Sequence, residues 1–147
     1  MTDRLVVRPR RLRLVCWALS ALVVVISAVV ATALRTTTEG AAAFRVGDQI
    51  ALFLLGVLLA GAVLLFTRAK VEADPYGIRV RNPVGDITLP WQVVAAVRLD
   101  DGAPWATLDL HDDDTVAILA VQANDGEAAI EAVLALRRLL AASRQSS

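Results

Sequence analysis

Cysteine is nearly absent: Cys16 is the single one in 147 residues. That excludes an intramolecular disulfide and any multi-cysteine metal site. Leu14 and Val15 precede it, and its apolar run follows instead of leading, so a lipoprotein processing site is not formed. Cys16 reads as a small apolar side chain at the start of a helix. Histidine is also single, His111, and aromatics make up 5% of the chain. Neither charge is in excess, with 15 basic and 15 acidic residues. A strongly basic nucleic-acid binder and a charged disordered chain are both set aside on that ground. Lysine is scarce too, since Lys70 is the one lysine among the basic residues.

What is abundant is apolar: 56% of residues are hydrophobic, where an ordinary soluble domain has about 45–50%. The excess lies in two uncharged runs, 14–34 and 49–67, both free of proline. Crossing a bilayer takes about 20 apolar residues of helix. A helix is the form in which such a run satisfies its own backbone in hydrocarbon. The expectation is a two-helix transmembrane hairpin, 14–67, with an external loop at 35–48. Residues 1–13 form a basic tail, with five arginines against Asp3, and Arg68 and Lys70 follow the second run, whereas the loop is neutral. Positive charge on the inner side then puts both termini in the cytoplasm of a plasma-membrane protein. A cleaved signal peptide ending near Ala31-Thr32-Ala33 is the competing reading, and the run is long for one. Gly56 with Ala60 and Ser27 with Ala31 offer small faces at i, i+4. Such faces let membrane helices pack closely, within the hairpin or against a partner's helix. No charged residue lies inside either run, which argues against an ion pathway.

The remainder, 68–147, carries eight basic and twelve acidic residues, a net of −4. Alternation marks strands around Val71-Glu72-Ala73, Ile78–Asn82, Ile87–Leu89, Val94–Asp100, Trp105–His111 and Val116–Gln122. Asp74-Pro75-Tyr76-Gly77, Pro83–Asp86 and Asp101-Gly102 are turn signals. A closing helix starts at Asn124 or Asp125 as N-cap, with a stripe of Ile130, Val133, Leu134, Leu136, Leu140 and the neighbouring alanines. Residues 144–147 are expected to fray. About six or seven short strands and one helix make a small α+β domain, 68–143, in which a curled antiparallel sheet is capped by the helix.

Asp74-Pro75-Tyr76-Gly77-Ile78-Arg79-Val80-Arg81-Asn82 resembles the opening of bacterial pleckstrin-homology (PH)-like domains. Leu89-Pro90-Trp91-Gln92-Val93-Val94-Ala95-Ala96-Val97 resembles the segment that follows it there. With the hairpin before and the helix after, the chain is similar to the membrane-anchored actinobacterial low-molecular-weight antigen 6 PH-domain family over about residues 10–142. The resemblance implies a PH-like domain beside the inner face of the membrane, in a cell-envelope or division setting. It carries over no catalytic residue.

No set of nucleophile, base and orienting group stands out, so the chain reads as a non-enzyme without cofactor or metal. His111 with Asp112, Asp113 and Asp114 reads as a solvated turn, since adjacent hairpin residues cannot wrap one ion. Trp105, Arg79 and Arg81 are the candidate partner-binding residues. Trp is enriched at binding hot spots, and paired arginines suit anionic groups. The first expectation is a binding module that docks a membrane or membrane-associated protein. Headgroup sensing through Arg79 and Arg81 is the alternative. The net of −4 opposes it, because an anionic leaflet favours polybasic segments. A third reading is a subunit held in a complex by Gly56 and Ala60. Nucleic acid is not an expected partner.

Overall fold

The computed structural model describes residues 4–37 and 45–147, and the side chains of 35–37 lie outside the description. The expected external loop therefore falls largely outside the described residues. The order is β1 (Leu5–Val7), α1 (Arg10–Thr37), α2 (Val46–Leu64), β2 (Lys70–Ala73), β3 (Gly77–Arg81), β4 (Asp86–Pro90), β5 (Val94–Arg98), β6 (Trp105–Leu110), β7 (Thr115–Gln122) and α3 (Glu127–Gln145). Two compact units result: Leu12–Thr67 form one, and the described residues on either side of that segment form the other.

In the first unit, α1 and α2 are both long and apolar enough to cross a membrane. Their large side chains point outward, Leu58 being 70% exposed, which is the reverse of a soluble core helix. Between them runs a seam of small residues, with Cys16, Ser20 and Ala31 buried on α1 and Gly56 and Ala60 buried on α2. The Ser20 hydroxyl donates to the Ala60 carbonyl at 3.0 Å. A Cβ placed on Gly56 would run into the side chain of Ser27. The Asp48 carboxylate accepts from the Arg45 amide at 2.9 Å and so caps the start of α2.

The second unit has two antiparallel sheets, β1-β2-β3-β4 and β5-β6-β7, with α3 packed on them. Alternation decides which face is buried. Val71, Ala73, Ile78 and Val80 turn inward and join Trp91, Val94, Val97, Ala106, Leu108, Ile118, Ala120, Val121 and the inner side of α3. Trp91 is 2% exposed, and its Nε1–H donates to the Asp74 carbonyl at 2.7 Å. That bond satisfies the one polar atom of a side chain otherwise suited to the core.

Four local expectations change. Residues 5–7 were assigned to a tail, yet they form β1, with Leu5 opposite Ala73 and Val7 opposite Val71. The seven strands are thus six after the hairpin and one before it. The N-cap of α3 is Gly126 at φ +60, and Asn124 and Asp125 belong to a preceding 3-10 turn. The buried side of α3 is Ala129, Ala132, Val133, Leu136 and Leu140, while Ile130 and Leu134 face out. Nor does the chain fray at 144: α3 runs to Gln145, and Arg144 is fastened to the Ala95 carbonyl at 2.6 Å.

Candidate functional site

The outer face of the four-stranded sheet carries rows of charged and polar side chains. Pairing sets the rows. Val6, Glu72, Arg79 and Thr88 lie side by side across β1 to β4, and Lys70, Arg81 and Asp86 form the next row. These residues share a face because each is two positions from the next along its own strand. Arg4 reaches the same face by its ion pair to Glu72 at 3.1 Å. An open cleft of about 720 Å³ lies over one end of it, lined by Arg4, Glu72, Tyr76, Arg79 and Thr88 among others. Tyr76 is 80% exposed on its rim.

Two carboxylates organise the cations. Glu72 pairs with Lys70 and Arg4. Asp86 Oδ2 takes both Arg79 Nη2 and Arg81 Nε at 3.1 Å. The hydrogen bond from Lys70 holds Glu72 below the usual carboxylate range, against the opposing effect of burial, and Arg4 adds to the lowering. Desolvation pushes Asp86 upward, but the hydrogen bonds from Arg81 and Arg79 outweigh it and the carboxyl lies low. Both groups are therefore anionic at neutral pH. Arg4, Lys70, Arg79 and Arg81 against Glu72, Asp86 and the cleft-lining Asp74 leave this face one charge positive.

The structure also changes the charge of the whole unit. The −4 counted over 68–147 omits the N-terminal segment that folds with it. With residues 1–11 included, the sequence has twelve basic and thirteen acidic residues, a net of −1. Asp100, Asp101, Asp109, Asp112, Asp113 and Asp114 sit in or beside the turns of the other sheet, where Arg98 pairs with Asp100 and Asp109. The positive face is thus a local feature of one sheet.

Of the candidates read from sequence, Arg79 and Arg81 lie together on this face. Trp105 does not join them. It is 38% exposed at the start of β6 in the second sheet, opposite Gln122. Gly56, Ala60, Ser27 and Ala31 all lie along the seam between α1 and α2. His111 and Asp112–Asp114 are exposed at the β6–β7 turn. Among the described residues no group of three or more His, Cys, Asp or Glu side chains is placed to hold a metal ion. Arg4, Lys70, Glu72 and Thr88 were missed as site residues. Lys70 and Glu72 could have been found by pairing Lys70–Ala73 with Gly77–Arg81 across the Asp74–Gly77 turn. Arg4 carries no such local signal, because its partner Glu72 lies beyond the whole hairpin.

Comparison with known proteins agrees with this architecture. A family model described as bacterial PH domain matches residues 68–139. An uncharacterized protein of Mycobacterium bovis and two of Mycobacterium tuberculosis strains are each 37% identical over 139 residues, covering 95% of this chain and 90% of their own. No solved structure matches.

Proposed function

Because the chain belongs to the bacterial PH domain family, we propose that it is a membrane-anchored binding module that docks a protein partner at the cytoplasmic face of the plasma membrane. The observation that carries this reading is the positive outer face of β1–β4, open at its cleft and built on a domain joined to two apolar helices. The partner it suits presents an acidic segment, whose carboxylates would share Arg4 and Arg79 with Glu72 and Asp86.

Two observations support the placement, the first its cytoplasmic side and the second the sharing of one side by both ends of the hairpin. Arginines cluster at 8, 10, 11 and 13 and again, with Lys70, at 68, next to the ends of the apolar segment. In addition, β1 precedes the hairpin and β2 follows it, yet the two strands pair. Paired strands must share one side of any membrane the hairpin crosses. A signal-peptide reading would remove β1 together with α1, leaving β2 without its neighbour, so retention of α1 is favoured.

Headgroup sensing through Arg79 and Arg81 is the second reading, favoured by the net of −1 that replaces −4. Against it, both arginines are already held by Asp86, and spans that anchor the domain leave it no need to find the bilayer. A complex held through Gly56 and Ala60 is less favoured, since both are turned onto α1.

The test is a photo-crosslinking residue at Tyr76 in the full-length protein in its native membrane. We expect one protein adduct, lost when Arg4 and Arg79 are both changed to Glu. Adducts to lipid alone would replace the protein-docking reading with headgroup sensing. A partner that co-purifies but is insensitive to the face variants and retained without residues 71–147 would move the function to the helices.

A further inference from the structure

A sheet edge is a row of unpaired backbone groups, and folded proteins usually cover or blunt it. The two sheets of this domain have four edges. β1 is three residues long, is followed by Arg8-Pro9, and packs Leu5 and Val7 against the core. On β5, Arg137 Nε donates to the Val97 carbonyl at 2.9 Å and Arg144 Nη2 to the Ala95 carbonyl at 2.6 Å, so α3 blocks that edge. On β7, the Asn82 side chain stands in for a strand, donating to the Ala117 carbonyl at 2.9 Å and accepting from the Leu119 amide at 3.4 Å. β4 has no such cover among the described residues.

Its free groups can be identified. The Asn82 amide bonds the Gly85 carbonyl across the β3–β4 turn. Antiparallel alternation then makes Val80–Ile87 and Ile78–Leu89 the hydrogen-bonded pairs of the β3–β4 register. Ile87 and Leu89 therefore bond inward to β3, and the amides and carbonyls of Asp86 and Thr88 point away from the sheet.

We propose that this edge binds a second copy of the chain, the two β4 strands pairing antiparallel about a two-fold axis at Thr88. The register is self-complementary. Thr88 meets Thr88 and exchanges both of its backbone bonds. Ile87 meets Leu89, apolar against apolar. Asp86 meets Pro90, whose carbonyl accepts the Asp86 amide and whose missing N–H ends the ladder. The two Asp86 carboxylates lie about 13 Å apart along the strands, beyond the roughly 8 Å screening length of physiological salt. No like charge opposes another across the axis. With the other three edges short or covered, the association closes at two copies. A five-residue strand is a small contact, below the size of a stable free-solution interface. Confinement of two copies to one membrane raises their effective concentration and makes such a contact sufficient. The cleft reaches β4 through Thr88, Leu89 and Pro90, so pairing sets two clefts side by side. This inference goes beyond partner docking and is independent of it.

The test uses the full-length protein in its native membrane, with Cys16→Ala to remove the native thiol. Thr88→Cys places two thiols on the axis, with Cα atoms about 5.5 Å apart, inside the range a disulfide spans. Mild oxidation is expected to convert most of it to a covalent dimer. Val84→Cys is the control: it is 89% exposed, yet in this register its two copies lie about 27 Å apart and no dimer is expected. In a second measurement, two differently tagged copies carry Thr88→Pro, which removes the outward N–H without touching the β3 ladder. Their co-capture should fall at least tenfold. Absence of the Thr88→Cys dimer, equal crosslinking of the Val84→Cys control, crosslinking of Thr88→Cys to a different protein, or undiminished capture of the proline variant would each overturn the proposal.

Discussion

Gly77 opens β3 at a point where only its lack of a side chain lets β4 approach. A Cβ there would lie 2.5 Å from the Leu89 carbonyl oxygen and 3.3 Å from Leu89 C and Pro90 Cα, all backbone atoms of the paired strand. Backbone cannot rotate away as a side chain can. Gly77 does not need a left-handed conformation, since its φ is not among the positive ones; the requirement is space. Gly77→Ala must therefore push β4 outward by most of an ångström at this end. That disrupts the neighbouring Ile78–Leu89 pair, two bonds at about 1 kcal/mol each. Local strain brings the expected loss to about 2–3 kcal/mol. For a domain of this size the midpoint of thermal unfolding falls by roughly 10–20 °C. Fluorescence reads it well, because Trp91 is buried while Trp17 and Trp105 are exposed. Hydrogen exchange supplies the local check: amides of 77–90 should exchange ten- to a hundredfold faster, with β6 and β7 following only the global change. Gly102→Ala, at φ +83 with open space around it, should cost about 1 kcal/mol and leave the β3–β4 amides alone. A midpoint shift under about 5 °C for Gly77→Ala, or unchanged exchange at β4, would refute the argument from close approach.

In the helical unit, Gly56→Ala should separate α1 from α2 at a loss of about 1–3 kcal/mol, measured by denaturation in mixed micelles. Ser27→Gly in the same chain should restore at least half of it, and a neutral single variant would contradict the seam. Glu72 titrates below its ordinary 4.5, so the stability it contributes is complete above that pH and is lost as pH falls through the lowered value. Acid unfolding of the domain should steepen below about pH 4.5, and Glu72→Gln should flatten that limb; an unaltered limb would mean the Lys70 and Arg4 contacts do not persist in solution. Residues 68–147 alone lack β1 and expose the edge of β2, so they should self-associate. Joining Arg11 to Arg68 through about twelve Gly and Ser residues, a reach of about 40 Å, should give a more stable domain. Equal stability of the two forms would remove β1 from the folding unit.

Several elements were legible because their signals are local. The two uncharged runs gave the apolar helices, although α1 begins at Arg10 and α2 at Val46, outside the uncharged stretches. A helix start depends on caps such as Asp48 as well as on hydropathy. Alternation placed β2 to β7 within a few residues and put Arg79 and Arg81 on one face. The stripe of α3 was partly misjudged. Ile130 and Leu134 are apolar yet face out, while the neighbouring alanines Ala129 and Ala132 belong to the buried side with Val133, Leu136 and Leu140. Trp105 and the arginines looked like one candidate set, and the structure assigns them to different sheets.

The sequence by itself determined the order and type of the elements, because hydrophobic runs, alternation and turn residues act over a few positions. It also determined the two-helix segment and the small-residue seam within it. The tertiary structure decided what spacing along the chain cannot encode. Strand pairing carried Leu5–Val7 across the hairpin to β2 and brought Arg4 to Glu72. That pairing shifted the domain's net charge from −4 to −1. It also left β4 as the uncovered sheet edge among the described residues. Which strands are edges, and which of their groups lie bare, depends on contacts between residues far apart in sequence, such as Asn82 with Ala117 and Arg144 with Ala95.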